Sequence, residues 1–181
     1  ARSNKVFLFF VALIILFLSY LSIPHIYNKN EIKKELTSQL LDKFNINFIF
    51  PKNFNYKFFP RPQFTIENSS IIDNQVEISD IKKLTIYISL DKLFSLKNIT
   101  IKDVILENAN FNFDKKNHDF FLKLLENNYL ENSLKIKDSN IFYRNSENEV
   151  LFINKIIKMN YFYDINILNN IVFSENEIFN I

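Results

Sequence analysis

Glycine is absent from this 181-residue chain, and so are cysteine and tryptophan. A phosphate-cradling loop, a dinucleotide-binding turn and a glycine-flanked nucleophile elbow all need backbone that glycine alone reaches easily, so none occurs here in standard form. The lack of cysteine removes disulfides, thiolate metal ligands and cysteine nucleophiles. Histidine is limited to His25 and His118, which rules out a three-histidine metal site and leaves a Ser-His-Asp arrangement two possible bases. His118 has Asp114 and Asp119 close by, but in an Asn- and Lys-rich turn where solvent exposure accounts for all three. No catalytic residue, cofactor or metal is expected.

Left-handed turns must then fall to Asn, which tolerates that conformation and is abundant here. The wealth of Asn, Lys, Ile and Phe beside few Arg reads as compositional bias from an AT-rich genome. Basic and acidic side chains number 22 and 20 and are mixed along the sequence, giving a net charge of +2 without the basic block that phosphate binding favours. Nucleic acid is therefore not an expected partner. A hydrophobic content of 48% is enough to pack one ordinary domain.

Residues Val6 to Ile23, VFLFFVALIILFLSYLSI, form an uncharged run of 18 residues, long enough to cross hydrocarbon as a helix. Pro24 stops it, and the absence of an Ala-x-Ala pattern argues for an uncleaved anchor over residues 1–27. Lys29, Lys33, Lys34 and Lys43 follow the span while Arg2 and Lys5 precede it, so a bare count of basic residues places the following side in the cytoplasm. A short amino-terminal anchor with a long downstream domain favours export instead.

Residues 28–45 read as one amphipathic helix, capped by Asn30 and ending near Phe44, with Ile32, Leu36, Leu40, Leu41 and Phe44 on one stripe. It either packs on the sheet that follows or lies on the membrane surface. Beyond Asn45 the period becomes two. Leu84, Ile86, Ile88 and Leu90 alternate with Thr85, Tyr87 and Ser89, which predicts an apolar face and a solvated face. Asp91 to Leu96 and Asp119 to Leu125 read as short helical caps over residues 46–181, a run of strands with Asn-rich turns that points to antiparallel sheet.

Three segments share a pattern: Phe64-Thr-Ile-Glu-Asn-Ser-Ser-Ile71, Ile99-Thr-Ile-Lys-Asp-Val-Ile-Leu106 and Leu134-Lys-Ile-Lys-Asp-Ser-Asn-Ile141. Each has apolar residues at i, i+2 and i+7, a charge at i+3 and Asp or Asn at i+4, and the starts are 35 residues apart. A helical repeat of that length contradicts the alternation, so the motif reads as a strand, a kink at the charged pair and a second strand. A fainter fourth copy begins at Ile171.

The order of an anchor, an amphipathic helix, the segment Pro60-Arg-Pro-Gln-Phe-Thr-Ile-Glu-Asn-Ser-Ser-Ile71, the segment Ile81 to Ile101 and the strand Leu106 to Phe113 resembles the amino-terminal part of the AsmA family of bacterial envelope proteins. Asn or Lys stands here where family members carry glycines near the turns. The resemblance implies a mainly β protein with minor α, whose curled antiparallel repeat sheet forms a groove with an apolar interior. It also implies an inner-membrane anchor, a periplasmic bulk, and a role in outer-membrane biogenesis and phospholipid movement. The missing Met at the start and the stop inside a repeat suggest a fragment of a longer protein.

The candidate lining of such a groove is Phe64, Ile66, Leu84, Ile86, Ile88, Leu90, Ile99, Ile101, Phe111, Phe113, Leu134 and Ile136, although for any one of them ordinary core is the favoured reading. An assembly or quality-control factor that binds outer-membrane or other envelope proteins through sheet edges is the competing function. A chain lacking residues 1–27 is expected to fractionate with soluble proteins, since the only long apolar span is lost. Retention in the membrane after a high-salt and alkaline wash would reveal a second insertion element.

Overall fold

The computed structural model describes residues 2–51, 54–91, 93–127 and 129–180. Helix α1, Arg2–Ser22, is the apolar run, and a 3-10 turn at Ile23–Ile26 follows it around Pro24. From Val6 to Leu18 its large apolar side chains are exposed, so nothing in the described chain covers them. With that turn the helix is long and apolar enough to cross a membrane.

Helix α2, Lys29–Phe44, is capped by Asn28, whose side chain accepts from the Asn30 amide at 2.9 Å. The cap thus falls two residues before the one expected, with Glu31 three positions on, the spacing of a capping box. Ile32, Leu36, Leu40 and Phe44 are buried, whereas Leu41 is 47% exposed. A seam made of successive four-residue steps is narrow, and Leu41, about 100° around the helix from Leu40, falls outside it. Asn45 ends the helix in the left-handed conformation and bonds back to the Leu41 carbonyl.

Eight strands follow in one open sheet: β1 (Phe48–Ile49), β2 (Phe54–Lys57), β3 (Gln63–Asp73), β4 (Val76–Ile88), β5 (Ile101–Phe113), β6 (Ser133–Arg144), β7 (Val150–Asp164) and β8 (Asn169–Asn180). β1 and β2 share one edge of β3, and from there neighbours run in chain order to β8. The antiparallel expectation holds for every pair except β5 and β6, which are parallel. Parallel neighbours need a crossover, and residues 114–132, carrying helix α3 (His118–Glu126), supply it. The other expected cap, Asp91 to Leu96, is a set of turns leading to a 3-10 turn at Leu96–Asn98. Lys92 lies outside the described residues.

The expected kink exists, but it does not divide the strands, and the second copy of the motif is displaced. Asn68, Asn108 and Asp138 have φ of 55°, 53° and 46°. These mark the pattern at Phe64, Val104 and Leu134, so the true second copy is Val104-Ile-Leu-Glu-Asn-Ala-Asn-Phe111, and the even spacing from Ile99 is accidental. At each kink two consecutive residues lie on the outer side and the inward parity shifts: Phe64 and Ile66 point in, then Ser69 and Ile71. β4 shifts at Lys82 and Lys83 in step, so the register stays unbroken past it. The amide freed after the β5 kink is recovered: Ala109 N–H donates to Ser139 Oγ at 2.9 Å, and that hydroxyl donates to the Lys137 carbonyl at 2.7 Å.

The motif's charge also acquires a reason. Glu67, Lys83, Glu107 and Lys137 alternate in sign as successive partners across the outer face; Lys158 then sets a like charge beside Lys137, and Glu175 restores the alternation. Opposite charges on adjacent strands contribute roughly 0.2–1 kcal/mol per pair, and Lys83 closes on Glu107 at 2.5 Å. One row over, Asn140 donates to Asn110 and Asn110 to Asp80, each at 3.1 Å. The expected solvated face of β4 fails at Thr85, which is 6% exposed. It is central in the sheet, flanked by Thr65 and Ile105, and Arg61 lies over the Tyr87 ring beside it.

Replacing Asn108 tests the kink. A β-branched residue there must take a left-handed backbone, so Asn108→Val should cost about 1–2 kcal/mol, while Asn108→Gly should stay within about 0.5 kcal/mol. Urea unfolding of the two variants measures both, and equal stability would remove the left-handed requirement.

Candidate functional site

The inner face is a set of rungs that cross six strands. The first is Phe64, Ile86, Val104, Leu134, Tyr161 and Val172; the second is Ile66, Leu84, Leu106, Ile136, Met159 and Ser174. Past the kink come Ser69, Ile81 and Ala109, then Ile71, Ser79 and Phe111. Small residues at i+5, namely Ser69, Ala109 and Ser139, were the signal that could have fixed the register of the second copy, because the misplaced copy has Val104 there.

Helix α2 lies over the inner face and is tied to it by polar contacts. Gln39 donates to the Ile99 carbonyl and accepts from the Ile101 amide, the latter at 3.1 Å. Lys33 reaches the Phe50 carbonyl at 2.6 Å, and Lys43 the Ile101 carbonyl at 3.2 Å. Burial lowers the pKa of Lys43, with Lys102 repelling it further and Glu131 opposing the shift. Helix α3 adds Phe120 and Leu124, and Asn127 beyond it donates to the Lys43 carbonyl at 3.0 Å.

Under this cover ten of the twelve expected lining residues, Phe64, Ile66, Leu84, Ile86, Ile88, Ile99, Ile101, Phe111, Leu134 and Ile136, are at most 3% exposed. They are core in this chain. Phe113 is half-buried against Phe121 and Tyr143, both at 4.9 Å. Leu90 lies beyond the end of β4 and is 52% exposed, because the strand stops at Ile88 and the chain turns toward α1.

The cover ends at β7. There the inner face carries an aromatic cluster in which Tyr143 stacks on Phe152 at 4.1 Å and Tyr129 lies 5.8 Å from Tyr161. Burial pushes the Tyr161 hydroxyl up to about 12, with Tyr143 adding to the shift. Beyond it, on the same face of β8, Val172 and Ile178 are exposed, and Asn154 between the rungs has a buried amide oxygen without a partner. Neither β7 nor β8 was among the expected lining, since their alternation is diluted by Asn, Lys and Glu. His118 is half-exposed, bonded to Asp119 at 2.8 Å and to the Lys115 carbonyl at 3.0 Å. Among the described residues, no three His, Asp or Glu side chains are placed to hold a metal ion.

An apolar helix, a covering helix and a kinked sheet with one apolar face thus follow in the order seen in the sequence. The AsmA family model matches residues 2–148, from α1 through β6 and into the turn after it. The chain belongs to the AsmA family. No curated protein matches it. The matched part of this AsmA-family chain includes both covering helices and the strands from β1 to β6, whereas β7, whose inner face is still buried, and the exposed inner face of β8 lie beyond it.

Aspartate substitutions separate the sealed and open zones. Ile86→Asp places a charge where exposure is 0%, at a cost of several kcal/mol that should unfold a marginal domain. Ile178→Asp, on a residue 68% exposed, should change stability by no more than about 0.5 kcal/mol. Circular dichroism during urea unfolding compares them, and similar effects would contradict the sealing of the first four long strands.

Proposed function

We propose that this AsmA-family chain is a single-pass inner-membrane protein that carries its sheet in the periplasm and handles phospholipid along the uncovered inner face. The observation that carries the reading is the continuation of the apolar inner face past its cover, from the buried Tyr161 and Met159 of β7 to the exposed Val172 and Ile178 of β8. An apolar sheet face requires a second layer or a ligand. Acyl chains fit that need, each buried methylene contributing about 0.8 kcal/mol. Family membership supports an envelope role of the lipid-transfer type, and an apolar helix long enough to span, hydrogen-bonded at its end to the sheet through Tyr20 and Tyr56, supports delivery from the membrane it would sit in.

The competing reading, an assembly or quality-control factor, draws on β8. Its 12 residues form the edge of the sheet, with one side of the strand unpaired in the described chain, and such an edge can add an extended segment of another protein. Cargo decides between the two.

A photo-crosslinking residue placed in turn at 172, 178, 175 and 177 makes the test in cells. Positions 172 and 178 share the inner face, and 175 and 177 lie on the outer charged rows. Lipid adducts are expected at the first two and few at the others. Equal labelling on both faces would remove the groove, and protein adducts in place of lipid would favour the competing reading.

A further inference from the structure

The end of the sheet that meets α1 is fastened by tyrosines. Tyr20 donates to the Leu90 carbonyl at 2.7 Å and accepts from the Leu93 amide at 3.1 Å, while Tyr56 donates to the Leu21 carbonyl at 2.8 Å. Between helix and sheet these contacts leave a cleft of about 710 Å³. Its apolar wall includes Phe17, Leu18 and Leu21 from the last turns of α1, and Phe59, 80% exposed, stands at its margin. Three charged side chains share this lining: Arg61, Lys102 and Asp91.

Arg61 is held in place. Its Nη2 donates to Asp103 Oδ2 at 2.9 Å, and its guanidinium lies 4.7 Å from the centre of the Tyr87 ring. The other Asp103 oxygen accepts from Ser133 Oγ at 2.7 Å, so that carboxylate is committed to positioning. A guanidinium has five N–H donors, and one bond to Asp103 leaves most of them for a ligand. Asp91 is steadied by a hydrogen bond from Ser89.

We infer that this cleft binds the headgroup of a zwitterionic, primary-amine phospholipid drawn from the surrounding bilayer. The phosphate bonds to Arg61 and Lys102, the ammonium to Asp91, and the acyl chains lie along Phe17, Leu18 and Leu21. The charges decide the class: two cations match a phosphate, and a carboxylate beside them offers an ammonium a partner and repels a headgroup of net negative charge. The apolar wall decides the source. It belongs to the spanning helix, so a molecule that already resides in the membrane reaches the cleft by lateral diffusion. This inference rests on α1 spanning the membrane, but not on transport along β7 and β8.

The full chain, reconstituted in vesicles of equal parts phosphatidylethanolamine, phosphatidylglycerol and phosphatidylcholine and then extracted in mild detergent, allows retained lipid to be counted by mass spectrometry. About one phosphatidylethanolamine per chain is expected. Arg61→Gln and Lys102→Gln should each lower retention about tenfold, the loss of one charge-assisted hydrogen bond. Asp91→Asn, which leaves the Arg61–Asp103 pair untouched, should abolish the preference for the amine lipid while keeping a lipid bound. Retention without headgroup preference, or retention unchanged by Asp91→Asn and by the two cation variants, overturns the inference. An alkaline wash of the same vesicles separates the failures: release of the chain sinks the spanning reading, whereas a chain that stays without selecting lipid sinks the cleft alone.

Discussion

Everything on the inner side of the sheet depends on the line of kinks at Asn68, Asn108 and Asp138. A strand alternates strictly, so a residue pattern that places apolar groups at i, i+2 and i+7 would turn its last member outward. One left-handed residue reverses the parity, and the partner strands shift with it so that no hydrogen-bond register is lost. The same residue type solves the glycine problem. Asn and Asp accept left-handed backbone because their short polar side chains bond locally, and of eight residues with positive φ among those described, six are Asn or Asp.

Because the kinks align, outer residues align as well, and this gives the charged and amide rows their continuity. Glu67, Lys83 and Glu107 meet only because each precedes its kink by the same step or faces one that does. Such exposed pairs add little singly. Their weight lies in register: a slip by one residue on any strand breaks the row and turns the apolar rungs outward. The tyrosine hydroxyls at the foot of the sheet then fix this rigid plate to the end of α1.

Much of this was legible from residues alone, since α1, the extent of α2, the alternation of β4 and the existence of kinks follow from local pattern. What was not legible depended on neighbours. Thr85 looks solvated by parity and is buried because strands flank it on both sides. The parallel pairing of β5 with β6 depends on where α3 delivers the chain. The second motif lies five residues later than its apolar pattern suggests because Ile99 and Ile101 are also apolar. The left-handed Asn108 and the pairing of Val104 with Leu134 fix the true alignment, for which the small residue at i+5 is the one sequence signal. For the site, periodicity found the correct face in ten residues and could not reveal which rungs lie under helices. The strand that stays open, β8, shows no clear alternation because Asn, Ser and Glu dilute its apolar residues.

The place where the cover stops follows from dimensions. An α-helix with its side chains is about 10–12 Å across, and strands lie about 4.8 Å apart, so one helix shields roughly two strands. Two helices shield about four, the four strands from β3 to β6. Burial fades one strand further on, through Ile156, Met159 and Tyr161 of β7, which are at most 9% exposed. Along the first rung exposure stays at 0% for Phe64, Ile86, Val104 and Leu134, then rises to 7% at Tyr161 and 39% at Val172. Composition responds along the second rung, which passes from Ile136 through Met159 to Ser174. β8 adds inner surface beyond this cover without adding a helix, so its exposed apolar residues Val172 and Ile178 are left for something other than α2 or α3 to cover. A pliable molecule suits this need better than a third fixed element, because the uncovered rungs combine an aromatic cluster, an unpartnered amide oxygen and isolated aliphatic side chains in place of one uniform stripe.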